Sequence, residues 1–251
     1  MLNLKNKKVL ITGGSRGIGA ACVKYFCMAG SQVAFTYNNS NLIANRLEKR
    51  FNKISICKGY KADILKEEEI KKAVNSVLKD FGKIDILVNN AGIWKPGRIS
   101  KMSLADWEET IKINLTSVFL FTKYVVHSMK LKRYGKIINI SSTAGQRGEA
   151  NYSHYASSKG GVISFTKSLA QELGQYNINV NCIAPGWVLT DMTNHILTDK
   201  KNLETELSKI PLGRIASADD IAGPVLFLAS DLAKHISGEI LNVNGGSVLV
   251  G

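Results

Sequence analysis

Cysteine is scarce in this chain, with four among 251 residues. Cys22, Cys27, Cys57 and Cys182 form neither a Cys-x-x-Cys pair nor a zinc-like spacing. That excludes a disulfide framework and a structural zinc site, and it predicts a reducing, cytoplasmic setting. His127, His195 and His235 show no ligand spacing with acids or cysteines, so no catalytic metal is expected. Proline is equally rare, and Pro96, Pro185, Pro211 and Pro224 are scattered. Without a Pro/Gly-rich linker, a repeat or a low-complexity tract, residues 1–251 are expected to fold as one domain. No stretch approaches the roughly 18 apolar residues of a membrane span, and no apolar segment of signal-peptide length precedes Val9. A soluble, unexported protein is predicted.

Acidic residues are nearly missing from the first 60 positions, which hold ten Lys or Arg against Glu48 alone; the whole chain carries a formal net charge of +13. Arg46, Lys49, Arg50 and Lys53 fall on one helix and its exit, without interleaved aromatics or a recognition-helix motif. This argues for a solvated basic surface and against nucleic acid. Such a face steers an anionic cofactor or an acidic carrier protein over long range.

What the chain does contain is alternation. Strand-like apolar runs at 9–11, 32–35, 54–56, 84–88, 137–140, 178–180 and 239–243 are separated by helical patterns at 17–29, 40–51, 66–80, 103–130, 153–174, 191–208 and 217–230. Seven strands alternating with helices predict an α/β architecture, a doubly wound, seven-stranded parallel sheet with right-handed crossovers and helices on both faces.

Immediately after the first run stands Thr12-Gly-Gly-Ser-Arg-Gly-Ile-Gly19, opening a helix within a βαβ unit. In that setting Gly13 permits the tight turn, Gly17 lets backbone approach a pyrophosphate, and Gly19 allows close helix packing. The helix amino terminus, with Ser15, Arg16 and Ile18 around it, offers free N–H groups to phosphate. Binders of NAD place an acid on the ribose about 20 residues later. Here the end of the second run reads Thr36-Tyr-Asn-Asn-Ser40, with Asn38 at its centre and no carboxylate to repel a 2′-phosphate. Arg16 can pair with that phosphate, so NADP(H) is expected over NAD. Asp63, after the third run, is placed either to accept from the adenine amino group or to cap the next helix.

Tyr155 and Lys159 lie four apart in a helical pattern and therefore share a face. Ser142 emerges at the carboxyl end of a buried strand, where open α/β sheets bind ligands. A free tyrosine, with a pKa of about 10, gives up its proton poorly at neutral pH. One ammonium about 4 Å away is worth roughly 4 kcal/mol at an effective dielectric near 20, enough to bring the phenol near physiological pH unless burial opposes it. His154 points about 100° away from Tyr155 around the helix and is not expected to act as a base.

The glycine loop, Asn89-Asn-Ala-Gly92, the Ser142, Tyr155 and Lys159 trio, and Pro185-Gly186 with Thr190 stand in this order on one βαβ scaffold. Together they resemble the classical short-chain dehydrogenase/reductase family, over about residues 7–250. Ala184–Thr193, Ile210–Arg214 and Ile236–Gly246 look most like bacterial 3-oxoacyl-[acyl-carrier-protein] reductases. The resemblance implies a Rossmann-type domain and reduction of a carbonyl with NADPH. Tyr155 would be the general acid, Ser142 would bind the carbonyl, and Lys159 would bind the nicotinamide ribose and lower the tyrosine pKa. Asn114 would hold a water in a proton relay, Asn90 and Gly92 would shape the adenosine-ribose side, and Pro185, Val188 and Thr190 would border the carboxamide. Specificity is expected around Ile93, Trp94, Gln146, Arg147, Trp187 and a flap at 190–208.

Lys130 to Arg133 offers a basic site for an acyl carrier protein, although Gln175-Tyr-Asn177 lacks the basic residue such reductases often carry before the sixth strand. A sugar or other secondary-alcohol dehydrogenase is the alternative on the same scaffold. A catalytically silent nucleotide- or nucleic-acid-binding protein would not need four reactive positions in register. The long helices and the apolar tail from Ser247 to Gly251 point to a homotetramer.

Overall fold

The computed structural model describes Leu2 and residues 4–250, so the last residue of that tail, Gly251, lies outside the described residues. Seven parallel strands run in the order β3-β2-β1-β4-β5-β6-β7. They are β1 (Lys8–Ile11), β2 (Gln32–Tyr37), β3 (Cys57–Lys61), β4 (Ile86–Asn89), β5 (Gly135–Ile140), β6 (Ile178–Pro185) and β7 (Ile240–Val243). Chain direction across the sheet reverses between β1 and β4, and a crevice opens at the carboxyl ends there. Among the described residues no helix is long and apolar enough to cross a membrane.

Alternating side chains divide the core into two layers, as a sheet buried on both faces requires. Val9, Ile11, Ile86, Val88, Ile138 and Ile140 face a layer built by α1 (Gly17–Met28) and α10 (Ala218–Ala229); α2 (Asn41–Phe51) closes its edge through Ala44 and Phe51. Leu10, Leu87 and Ile137 face the opposite layer, formed by α3 (Glu67–Phe81), α5 (Ser117–Lys132) and α7 (Ser153–Leu173).

Three expected elements differ. The third strand is not 54–56 but Cys57–Lys61, an edge strand that buries Cys57 and Tyr60 and exposes Lys58 and Lys61. Ile54 and Ile56 are 57% and 52% exposed. They occupy the exit of α2, where the Asn52 side chain bonds both the N–H and the carbonyl of Cys57, at 2.8 and 3.0 Å, and so starts the strand later. The helix expected at 103–130 is α4 (Leu104–Ile111), a π-helical turn at Lys112–Thr116, and α5. The flap is two short helices, α8 (Asn194–Leu197) and α9 (Lys200–Leu207), because Asp199 caps α9 by accepting from the N–H of Asn202 at 2.8 Å. A further short helix, α6 (Ala144–Arg147), follows β5.

Candidate active site

The carboxyl ends of β1, β2, β4, β5 and β6 border one cavity of about 710 Å³. It runs from Arg16, Thr36, Asn38 and Asp63, past the glycine loop, to Ser142, Tyr155, Lys159 and Trp94.

The first end is fixed by backbone. Gly13 and Gly17 have φ of +64° and +53°, which favour glycine. A Cβ on Gly19 would stand 2.2 Å from the Gly13 carbonyl oxygen and 2.6 Å from Nδ2 of Asn90, so only glycine fits that contact. Thr12 Oγ1 accepts from the N–H groups of Asn90 and Ala91 at 2.9 and 3.0 Å, and Asn90 Nδ2 donates to the carbonyls of Thr12 and Gly13 at 2.9 and 3.2 Å. These four bonds tie the loop after β1 to the loop after β4. Asn90 therefore shapes the site through the glycine loop. Thr12, which nothing in the spacing singled out, is the hinge between the two. Exposed Arg16 is the N-cap of α1 and borders the cavity with Asn38, Asn39 and Ser40; no acid stands at the end of β2. Asp63 borders the same end, and its Oδ1 accepts from Leu65 N–H at 3.1 Å in the turn before α3; the N-cap of α3 is Lys66, without a side-chain cap bond, so the expected capping by Asp63 is not what the structure shows. A dinucleotide fits this shape: a glycine-lined turn, a helix amino terminus and a long cleft.

At the other end, β5 carries Ser142 to the cavity, and α7 brings Tyr155 and Lys159 opposite it. Helix α6 lies directly on α7: a Cβ on Gly145 would meet the Lys159 backbone at 2.6 Å. Ser141 Oγ donates to the Lys159 carbonyl at 2.8 Å, and Ser158 Oγ donates to the Tyr155 carbonyl at 2.7 Å. Buried Asn114, on the π turn, accepts from Ile93 N–H at 2.8 Å and donates from Nδ2 to the Ile93 carbonyl at 2.9 Å and to Ser158 Oγ at 3.2 Å. Asn114 thus links the β4 loop to the helix of Tyr155, and its oxygen lies 3.2 Å from where a Cβ on Gly92 would be. π-helical turns recur at functional sites.

The expected fall in the tyrosine pKa is overturned. Burial pushes the Tyr155 phenol up to about 12, opposed by its hydrogen bond to Ser142. The Lys159 ammonium stands 5.9 Å from the Tyr155 ring centre and donates to the Ile140 carbonyl at 2.8 Å. Burial in turn lowers Lys159 to about 8. Desolvation outweighs the bond to Ser142 here, and Tyr155 is held in its protonated, proton-giving form.

The remaining candidates divide. Ile93, Trp94, Pro185, Val188 and Thr190 border the cavity; Gln146 and Trp187 are not among the residues bordering it. Gln146 donates instead to Asn242 Oδ1 at 2.7 Å, and Arg147 to the Gly148 carbonyl at 3.3 Å. Trp187 donates to Glu206 Oε2 on α9 at 2.7 Å and meets Trp94 edge-on, with ring centres 5.5 Å apart. Trp94 stacks on Tyr152 at 4.5 Å and 4°, and its indole N–H lies 3.4 Å from Glu149 Oε2. Burial raises the Glu149 carboxyl above its usual range, with the Trp94 bond opposing. Tyr152, Glu149 and Glu206 carry no sequence pattern that marks them. His154 is buried beside Gly97 and does not border the cavity.

The family model described as "Enoyl-(Acyl carrier protein) reductase" matches residues 13–247. The 3-oxoacyl-[acyl-carrier-protein] reductase FabG of Aquifex aeolicus (strain VF5) is 42% identical over 98% of each chain. Its counterpart from Escherichia coli (strain K12) is 38% identical over 99% of this chain and 100% of its own. The crystal structure of gox2181 superposes with a TM-score of 0.94 at 29% identity, covering 98% of this chain and 96% of that one. With a dinucleotide cleft leading to a serine, a protonated tyrosine and a buried lysine, these likenesses converge: the chain belongs to the short-chain dehydrogenase/reductase family and is an oxidoreductase acting on a carbonyl group.

Proposed function

We propose that the chain uses NADPH to reduce the 3-keto group of acyl chains carried as thioesters on acyl carrier protein, yielding the 3-hydroxyacyl form. The observation that carries this reading is the pairing of Ser142 and protonated Tyr155 at the far end of a cavity whose near end offers Arg16 and Asn38 but no carboxylate at the end of β2. Two hydroxyls in hydrogen-bonding reach of each other suit one carbonyl oxygen. The names of the FabG relatives favour a C=O over the C=C bond that the family model's description suggests.

In this reading Gly13, Ser15, Gly17, Ile18 and Gly19 hold the pyrophosphate, Arg16 and Asn38 the 2′-phosphate, Asp63 the adenine, and Asn90 and Gly92 the adjoining ribose. Pro185, Val188 and Thr190 border the nicotinamide, and Lys159 holds its ribose. The cofactor, when bound, supplies a hydride to the carbonyl carbon. Ser142 donates to the carbonyl oxygen and orients it. Tyr155 gives its proton to that oxygen as the C–O bond becomes an alkoxide, and its phenolate is reprotonated along the Lys159 and Asn114 side. The penalty on Tyr155 ionisation makes Lys159 necessary: a cation must be near when the phenolate forms. Of the residues expected to contact substrate, Ser142 and Trp94 act directly, Trp187 acts through the flap, and Gln146 acts through Asn242.

We infer a homotetramer in a reducing cytoplasm. Exposed Leu104, Phe119 and Leu131 on α4 and α5 and exposed Leu249 near the carboxyl terminus are the apolar surface that assembly would cover.

The test follows NADPH oxidation against acetoacetyl and crotonyl thioesters, ketosugars and simple ketones. Acetoacetyl thioester is the expected substrate, and Tyr155→Phe should lose turnover about 10³-fold with NADPH affinity retained. Turnover of crotonyl thioester or sugars alone refutes the substrate, NADH-only activity refutes the cofactor, and unchanged turnover in the variant refutes the mechanism.

A further inference from the structure

Trp94, which borders the cavity between Ile93 and Lys95, is itself backed by packed aromatics. A dinucleotide lying from Asn38 and Asp63 to Thr190 takes up most of the cavity's length, so the substrate is left the stretch between the Ser142 and Tyr155 hydroxyls and Trp94. Of the aromatic residues bordering the cavity, Tyr37 is at the adenosine end and Tyr155 is the acid, which leaves Trp94 as the aromatic wall facing the substrate.

That wall is held in several ways. Tyr152 stacks on it, the Trp187 ring packs edge-on against it, and the His195 ring of the flap lies 6.1 Å away. The indole N–H reaches Glu149, and Trp187 is in turn bonded to Glu206 of α9. The loop bearing Trp94 is also pinned to the segment bearing Tyr152, by a 2.7 Å bond from Gly97 N–H to the Asn151 carbonyl and a strand-like bridge between Gly97 and Tyr152. Swinging Trp94 aside would break a stack, an edge contact and a hydrogen bond together. Behind Trp94 lie Tyr152, Trp187 and the carboxylates of Glu149 and Glu206, so an alkyl chain running past the carbonyl in that direction meets packed rings and charge.

We propose that Trp94, braced by Tyr152 and Trp187, is a chain-length stop that restricts the enzyme to short acyl groups such as acetoacetyl. This rests on the carbonyl-reductase reading above, but the stop acts on any linear ketone whose carbonyl sits at Ser142 and Tyr155.

The experiment compares kcat/KM for acetoacetyl and 3-oxooctanoyl pantetheine thioesters, and in parallel for 2-butanone and 2-octanone. It uses the wild type, Trp94→Ala and Trp94→Phe, with melting temperature and NADPH binding by fluorescence recorded for each. The wild type should favour the short member by at least about tenfold, the range expected when a pocket excludes added methylenes. Trp94→Ala should abolish or invert that preference, with Trp94→Phe in between. If Trp94→Ala does not fold, Tyr152→Ala, which removes the brace and leaves the wall, should relax the same ratio. A wild type that handles both lengths equally, or a folded Trp94→Ala with an unchanged ratio, overturns the stop. Thioesters inert while the ketones keep the short preference would remove the thioester reading and leave the stop standing. Should neither series turn over, thermal shifts with 3-hydroxybutanoyl and 3-hydroxyoctanoyl pantetheine read the same ratio by binding, and equal shifts overturn the proposal.

Discussion

The two ends of the cavity are built from different materials. The cofactor end is shaped by main chain: glycines that no Cβ can replace, the α1 amino terminus, and four hydrogen bonds by which the Thr12 hydroxyl and the Asn90 amide hold backbone groups of the two loops. The substrate end is side chain on side chain: Trp94 on Tyr152, Trp187 on Glu206, and a flap of two short helices. The first kind of construction leaves little room for substitution. The second can be re-cut by single substitutions without disturbing the sheet, and there members of one fold family diverge.

The largest test of this contrast lies where the ends meet. Lys159 is held near pKa 8 rather than its ordinary 10.5, so its charged form is the disfavoured one in the fold. That penalty is full below pH 8, fades between 8 and 10.5, and amounts to roughly 3 kcal/mol at neutral pH. Lys159→Met should therefore lose turnover by about 10³-fold. It should nonetheless melt a few degrees higher at pH 7, since the lost bond to the Ile140 carbonyl offsets only part of the gain. The stability advantage should shrink as pH is raised toward 10.5. A variant that melts lower at pH 7 and gains with rising pH would reverse the sign.

Next comes Gly19→Ala, which breaks the backbone-built end. A contact of 2.2 Å must relax, so the melting temperature should fall by about 5 °C and NADPH binding should weaken at least about tenfold in fluorescence titration. An alanine tolerated without loss of affinity would show the loop to be softer than its contacts imply. The smallest effect belongs to the side-chain-built end. Glu206→Ala removes the acceptor of the Trp187 indole and frees α9. KM for substrate should rise about threefold to tenfold, with NADPH affinity and melting temperature nearly unchanged. Equal changes in both ligands' affinities would show the flap to belong to the cofactor end as well.

The same contrast explains what could be read in the chain. The sheet, the glycine loop and the positions of Ser142, Tyr155 and Lys159 follow from period, turn chemistry and spacing, because each is fixed by local backbone demands. The third strand is not legible at its true place because Ile54 and Ile56 look like strand residues by type, while Asn52 decides where pairing begins. The tyrosine pKa is not legible either, because spacing reports that a cation shares a face, not how dry the face is. Tyr152, Glu149 and Glu206 were invisible for the opposite reason: their role exists only through partners from distant segments. Gln146 and Trp187 neighbour the motifs in sequence, yet both turn to partners outside the cavity's border.

The π turn at Lys112–Thr116 has a further consequence, one of reading frame. It repeats on an i to i+5 bond, one residue longer than the α-helix around it. Helix α4, upstream, packs on α7; helix α5, downstream, packs on α3; and Asn114 sits at the change of phase. Removing one residue there would close the wide turn to an ordinary i to i+4 turn, which keeps the two halves in phase but takes away the geometry that seats Asn114 between Ile93 and Ser158. Both the side chain of Asn114 and the length of the tract are therefore fixed: a single-codon deletion would leave one continuous, sound helix and no link between the loop of Ile93 and the helix of Tyr155.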